Sequence, residues 1–401
     1  MIHKLTKISF YSLALIPLLK ENYNSICIIL FTLLTIFDII KNKRELKIDK
    51  TFLFSAGIFL TFLLYQIIQI PDFDFKGLFK HLPFLIIPFI FIYCPKFIGI
   101  KEKKISMTIF QVSVLLQCLI YVINFLLYND IGNFFHISNE NIPFFREYVL
   151  NNYLFRIHPT YFSVYLLISF TLSLFKLKEL KGLNLFNIGF TVFFIFLFSS
   201  RIVIVAFFLT VVYYIFYRIR RLQKKQMIIS IGFVIVIGIL IIIPNKDILF
   251  KRFHEITTEI NKPVKGNYYN STNTRIAIIK CSVDLFERLP FLGYGNSLQL
   301  ELNNCYKSKF DSDFYKISKF NTHNYYIHTI LFGGYLYFIL FLLFLLWIYK
   351  LIRKSKIGLL IFIQFLIINL TENYLLRHYG IITFMYIMSL FIFIKPKEDR
   401  K

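Results

Sequence analysis

Residues 322–354 read THNYYIHTILFGGYLYFILFLLFLLWIYKLIRK. From Tyr325 to Tyr349 the stretch holds no Asp, Glu, Lys or Arg, and Lys350, Arg353 and Lys354 close it. A helix that crosses the hydrocarbon of a bilayer needs roughly 17–25 mainly apolar residues. Residues 325–349 therefore predict a membrane-spanning helix, with His323-Asn324 at its mouth. Upstream, Pro244 to Thr322 carries nearly all the polar sequence of the chain. Connections longer than about 15 residues are usually functional or disordered. Alternating apolar residues and few low-complexity tracts predict that this one is folded.

Working outward, the whole chain has the same character. Its 401 residues are 57% hydrophobic, with 50 Phe and 26 Tyr, and the mean hydropathy is +0.63. That composition belongs to polytopic membrane proteins, with aromatics for lipid-facing belts. Apolar runs predict spans at 8–19, 25–40, 52–70, 82–94, 107–128, 159–175, 183–200, 202–217, 227–243, 325–349, 357–371 and 379–394. No small-residue cleavage site follows the apolar start, so residues 8–19 count as the first span and not as a signal peptide.

The net charge of +24 would suit a nucleic-acid binder, but its distribution argues against one. Of the 46 basic residues, 27 fall in alternate loops, from Lys4 and Lys7 through the 41–50, 96–104, 176–181, 218–225 and 350–356 segments to the C-terminus. Only 7 fall in the opposite short loops (Lys20, Lys76, Lys80, Arg146, Arg156, Arg201, Arg377), and the other 12 lie in the long loop. Such asymmetry sets orientation. The expectation is an all-α integral membrane protein of about twelve transmembrane helices, one polytopic domain over 1–401. Both termini would be cytoplasmic, and one long outward-facing loop, 244–323, would precede the tenth helix. Cys281 and Cys305 lie in that loop. An oxidising compartment would allow a disulfide between them, and two free buried cysteines are the alternative.

Within the loop, Ile276, Ile279, Val283 and Phe286 recur at helical spacing. Asn273 or Thr274 would cap that helix, Pro290 would end it, and Gly293 and Gly295 would turn the chain. Arg275 sits near its start, where the helix dipole does not favour a cation. Arg201 occupies a turn of almost no length between two spans, after Ser199 and Ser200. An arginine there could simply snorkel to headgroups, although charge at membrane depth also tends to mark a site. His323 and Asn324 directly precede a span, where Asn324 or Thr322 could simply cap the helix that follows. Arg156 and His158 stand at another outer entrance, and Glu372 and Arg377 at a third. No tight His/Cys spacing points to a metal.

Four ordered pieces, SSR at 199–201, TRIAIIKCSVDLFERLPFLGYG at 274–295, THNYYIHTILFGGYLYF at 322–338 and TENYLLRHYGIITF at 371–384, resemble the O-antigen ligase and polymerase superfamily. The motifs cover roughly residues 150–394; the first 150 residues match only as spans. The family often has a tryptophan near Cys281, which this chain lacks. The resemblance implies a cofactor-free, metal-independent, inverting glycosyltransferase on the periplasmic face of the bacterial inner membrane. Its donor would be an undecaprenyl-diphosphate-linked glycan and its acceptor a hydroxyl of a lipid or glycan, first of all the lipid A-core. Membrane lipids, and no nucleic acid, would be its other partners. The essential residues carry over as Arg201, Arg275 and His323. Asn324, Arg156, His158 and Arg377 would be secondary substrate contacts.

The chemistry is consistent with those residue types. Outside the inner membrane no ATP is available, so the donor must arrive activated. A lipid diphosphate leaves well once its charge is neutralised, which arginine does with fixed donors. Histidine, with an unperturbed pKa of about 6.5, suits the removal of a hydroxyl proton. Within the same framework the reaction could instead be polysaccharide polymerisation or transfer to a protein hydroxyl. Two rivals remain. A metal-dependent polyprenyl-phosphate glycosyltransferase would use acids such as Asp72 and Asp74 in an early outer loop. A transporter or lipid flippase would place polar or broken helices at mid-membrane and repeat its halves; the spans here are nearly free of charge, and no internal repeat is visible.

Overall fold

The computed structural model describes residues 2–69, 73–136, 143–151, 157–177, 181–219, 257, 271–310 and 319–395. Among these the chain is helical, with no β-strand. In chain order the helices are α1 (Ile2–Ser12), α2 (Glu21–Lys41), α3 (Lys50–Ser55), α4 (Gly57–Ile68), α5 (Phe75–His81), α6 (Pro83–Ile92), α7 (Ile100–Tyr128) and α8 (Phe144–Asn151). There follow α9 (Pro159–Phe175), α10 (Lys181–Phe198), α11 (Arg201–Ile219), α12 (Ser271–Glu287), α13 (Leu298–Lys309), α14 (Tyr325–Ile352), α15 (Lys356–Ile368) and α16 (His378–Ile392).

Among the described residues, four helical stretches are long and apolar enough to cross a membrane: Glu21–Lys41, Phe75–Ile92, Ile100–Tyr128 and Tyr325–Ile352. Six shorter apolar helices accompany them, among them Pro159–Phe175, Lys356–Ile368 and His378–Ile392. The expected span at 52–70 is two helices, α3 and α4, which meet at Ala56 just before Gly57. The expected span at 82–94 is continued backwards by α5. Pro83 marks the joint, because its missing N–H removes a helical hydrogen bond. Residues 8–19 hold the end of α1 and a single 3₁₀ turn, Leu13–Leu15. The span expected at 227–243 lies outside the described residues.

The chain forms two compact units, residues 1–110 with 262–401, and residues 111–261. In the first, α16 is buried from Gly380 to Ile392 and packs on α6, α14 and α15. In the second, α9 is buried from Pro159 to Ser173 and packs chiefly on α10. A helix buried all round in an apolar protein must satisfy its polar side chains internally. Here Asn187 Nδ2 donates to Ser169 Oγ at 2.9 Å and to Ser173 Oγ at 2.6 Å, and Gln111 Nε2 donates to the same Ser173.

The polar segment before α14 contains the helix that periodicity predicts, although two details differ. The helix is already formed at Ser271, so Asn273 and Thr274 are buried in its first turn and do not stand outside it as caps. Its buried face is Ala277, Ile278, Cys281 and Leu285, whereas Ile279, Val283 and Phe286 are 55%, 51% and 43% exposed. The disulfide between Cys281 and Cys305 explains the rotation, since it pulls that face of α12 onto α13. Leu298, Leu302 and Tyr306 of α13 complete the small core.

A backbone-to-backbone joint ties this core to α14. The Tyr294 N–H donates to Leu331 O at 2.8 Å. Gly293 and Gly334 face each other with φ of 72° and 69°, and α14 kinks at Gly334. A Cβ on Gly293 would lie 2.5 Å from Phe332 O, and one on Gly334 would lie 2.2 Å from Phe291 O. Both positions therefore require glycine, on conformation and on space. The Tyr65 hydroxyl of α4 sits against the carbonyls of Leu292 and Phe332 and closes the joint from the other side.

Candidate functional site

The joint fixes where α12 begins relative to where α14 begins. Arg275 and His323 consequently meet over one carboxylate, Glu372. Arg275 Nη2 is 3.1 Å from Glu372 Oε1, and His323 Nδ1 is 3.6 Å from Glu372 Oε2. The carboxylate is 7% exposed, while the Arg275 and His323 side chains are 39% and 32% exposed. The acid is thus the buried floor of the cluster, and the two basic side chains keep open faces above it. Burying a carboxylate alone is costly, and here the Arg275 guanidinium pairs with it while the His323 ring lies against its other oxygen.

The loop 321–324 holds His323 in an unusual posture. Its φ is 43°, a left-handed conformation that costs a non-glycine residue about 1–2 kcal/mol. Local hydrogen bonds offset that cost. Asn321 Oδ1 accepts the His323 N–H at 3.0 Å. Asn373 Nδ2 donates to Thr322 Oγ1 at 3.0 Å, and that hydroxyl donates to Asn324 O at 3.0 Å. The Tyr325 N–H donates to Asn369 O at 2.9 Å. Residues 369–373 therefore supply the carboxylate and also pin the histidine loop.

Asn324 is the N-cap of α14, its Oδ1 accepting from Tyr326 N at 2.9 Å and Ile327 N at 3.0 Å. That leaves the ring of His323, one residue earlier, uncommitted to capping. Tyr294 plays the matching part at the other end of α12, its hydroxyl donating to Leu285 O at 2.8 Å. Burial raises the pKa of that phenol above the ordinary tyrosine value.

The remaining sequence candidates are placed as follows. Arg201 opens α11 in the second unit, after a turn in which Ser199 has φ 45°. The main-chain carbonyl of Phe198, at the end of α10, accepts from the Arg146 guanidinium. His158 is the N-cap of α9 and accepts the Thr160 N–H on Nδ1 at 3.3 Å. Arg377 is exposed at the N-cap of α16. Arg156 lies outside the described residues.

Sequence reasoning quoted Glu372 only as the marker of a span entrance and did not place it with the site. A signal was available, since it is the only acidic residue between Asp313 and Glu398. Among the described residues a single group has metal-ligand spacing, Cys281, Asp284 and Cys305. Its sulfurs are bonded to each other and its carboxylate pairs with Lys309. Asp74, the described member of the early acidic pair, caps α5 through the Gly77 N–H at 2.9 Å.

Residues 186–342 match the model of a family described as O-antigen ligase. The match spans Arg201, Arg275 and His323 and stops short of Glu372. No curated protein matches the chain.

Proposed function

We propose that the protein is an O-antigen ligase-like glycosyltransferase that moves a glycan from an undecaprenyl-diphosphate carrier to a hydroxyl of the lipid A-core. The observation that carries this reading is the Arg275–Glu372–His323 cluster, which pairs an anion-binding side chain with a base held by a buried acid. The motif order and the family match supply the substrate class.

The geometry supports the following chemistry. Glu372 faces His323 Nδ1, which favours the tautomer with its proton on Nδ1 and leaves Nε2 as an acceptor. The acceptor hydroxyl gives its proton to Nε2 as its oxygen attacks the anomeric carbon. The carbon–oxygen bond to the diphosphate breaks from the opposite face, the carrier diphosphate leaves with the electron pair, and the centre inverts. The His323–Glu372 separation of 3.6 Å is longer than a hydrogen bond, and such contacts tighten when substrates bind. Arg275 uses one nitrogen on Glu372, and its exposed face neutralises charge on the leaving diphosphate. Arg201 is assigned a second phosphate contact by the motif order alone. None of these steps requires a metal ion, so EDTA is expected to leave the rate unchanged, unlike that of a metal-dependent rival.

The proposed setting is the inner membrane, with about twelve spans, both termini cytoplasmic and the cluster periplasmic. The alternation of basic loops and a disulfide beside the cluster support it. The test is a deletion strain complemented with wild-type protein or with His323→Ala, read on a gel of surface glycans. Loss of long-chain lipopolysaccharide in both the deletion and the variant, with carrier-linked polymer accumulating, is the expected result. A core bearing single repeat units would reassign the enzyme as a polymerase. An unchanged ladder in the deletion would reject both.

A further inference from the structure

Beside the cluster, in the same unit, α4, α5, α13 and α14 enclose a cavity of about 300 Å³. One wall is a column of rings. His81 stacks on Phe62 at 4.0 Å, Phe62 on Phe332 at 5.8 Å, Phe332 on His328 at 5.7 Å and His328 on Tyr325 at 6.0 Å. Successive ring planes lie 7–23° apart, and two of the rings bear nitrogen. The remainder of the lining is mixed, with the side chains of Leu298, Leu302 and Leu376 beside the polar Asp74, Lys80, Asn296, Gln299 and Asn321.

Several of these groups have hydrogen-bonding capacity to spare. The His328 ring makes no hydrogen bond among the described residues, and its Nδ1 is buried. Lys80 has no ion-pair partner among them. Asn321 commits its oxygen to the His323 N–H, which leaves its amide NH₂. Gln299 commits its NH₂ to Asn303 and Phe320, which leaves its carbonyl. Buried polar groups in native proteins are normally partnered; the buried His328 Nδ1 is the group that calls for one, and the half-buried Asn321 and Gln299 and the exposed Lys80 add capacity that fits a polar ligand. Donors and acceptors are mixed, and Lys80 is offset by Asp74, a balance that opposes an anion. Mixed donors and acceptors beside an aromatic wall suit a neutral polyhydroxylated ring. The volume is at the lower end of ligand pockets, the scale of one or two rings.

Resting on the proposed transfer reaction, we propose that this cavity is the subsite for the sugar unit nearest the reacting bond. Asn321 connects cavity and chemistry, since one side chain lines the sugar site and holds the His323 backbone. The sugar belongs either to the donor glycan or to the acceptor.

Saturation-transfer NMR on the purified protein in detergent tests this, with the methyl glycosides of glucose, galactose and N-acetylglucosamine as probes. Wild-type protein is expected to give ring-proton signals for at least one probe. His328→Phe keeps the ring and removes its nitrogens, and should reduce them about tenfold; Lys80→Ala, at an exposed position, should reduce them about threefold. His323→Ala should retain them, which separates this inference from the transfer reading, because binding needs no turnover. Displacement by carrier-linked glycan assigns the donor's sugar, and displacement by lipid A-core assigns the acceptor's. No signal in wild type, equal signals in both variants, or displacement by neither substrate overturns the proposal. Should His328→Phe fail to fold, the Lys80→Ala comparison alone decides.

Discussion

The helices α9 and α14 each begin just after a histidine, His158 and His323, and the two histidines do different things. His158 is itself the N-cap of α9; its Nδ1 accepts the Thr160 N–H and its ring lies edge-on to Tyr161. His323 stands one residue before the cap of α14, because Asn324 has taken the capping role with two hydrogen bonds. The first ring is committed to the backbone, and the second is turned by a left-handed φ toward Glu372. Histidine is a mediocre cap and asparagine a good one. Placing asparagine next in sequence leaves the His323 ring out of the cap.

The sharpest way to break that comparison is to remove each ring. His323→Ala is expected to lower the turnover of glycan transfer by about 10³-fold, within the usual range for loss of a general base. His158→Ala is expected to leave transfer within about threefold and to cost roughly 0.5–1 kcal/mol of stability through the lost cap. Both are read with purified protein, as initial rates and as thermal unfolding in the same detergent. Equal losses of rate would erase the distinction drawn from the capping geometry.

The same pair shows what the sequence could and could not reveal. Hydropathy placed the helices α2, α9 and α14 within a few residues and α7 seven residues short at its start, because burial in lipid demands long apolar runs, whereas the charged first turns of α7 lie outside such a run. It could not see that 52–70 breaks at Ala56, where a lone glycine is the only local sign. Helical spacing found α12 but not its orientation, which the Cys281–Cys305 bond decides through a contact 24 residues away in sequence. The site was half legible for a similar reason. Arg275 and His323 lie in motif-rich segments, whereas Glu372 joins them only through folding, from 97 residues beyond Arg275. Whether Asn324 or Thr322 caps the helix is settled by the bonds Asn324 Oδ1 accepts from Tyr326 N and Ile327 N, while the Thr322 hydroxyl is taken up with Asn373 and Asn324 O.

Arg275 sharpens the comparison from the leaving-group side. Arg275→Ala should reduce turnover by about 10²–10³-fold, the cost of one well-placed donor to developing negative charge. Arg275→Lys keeps the charge but loses the planar fork that serves Glu372 and a phosphate together, so it should recover only part of the rate. Full recovery with lysine would show that charge alone matters and that the 3.1 Å contact to Glu372 is incidental.

Glu372→Gln keeps the shape of the floor and removes its charge. Turnover should fall about 10–10²-fold with little change in KM, because orientation of the base acts in the transition state and not in substrate binding. The stability cost should stay near 1 kcal/mol, since Arg275 is 39% exposed and can be solvated once its partner is neutral. A rise in KM with unchanged turnover would make Glu372 a binding residue for substrate and not the orienting acid of His323.

The smallest effect belongs to the loop that holds the histidine. Asn373→Ala removes the donor to Thr322 while leaving Glu372, Arg275 and the Asn324 cap in place. The loss of a buried hydrogen bond should cost about 1–2 kcal/mol of stability. Its effect on rate should be only a few-fold, because Asn321 still accepts the His323 N–H and the Tyr325–Asn369 bond still anchors the helix start. Asn373→Asp supplies an acceptor but no donor at the same place and should not restore the loop. Thr322→Ser keeps the hydroxyl and should behave as wild type. If Asn373→Ala instead matched His323→Ala in rate while remaining folded, the left-handed posture of His323 would depend on this one bond, and the difference between the two helix starts would lie in the loop and not in the cap.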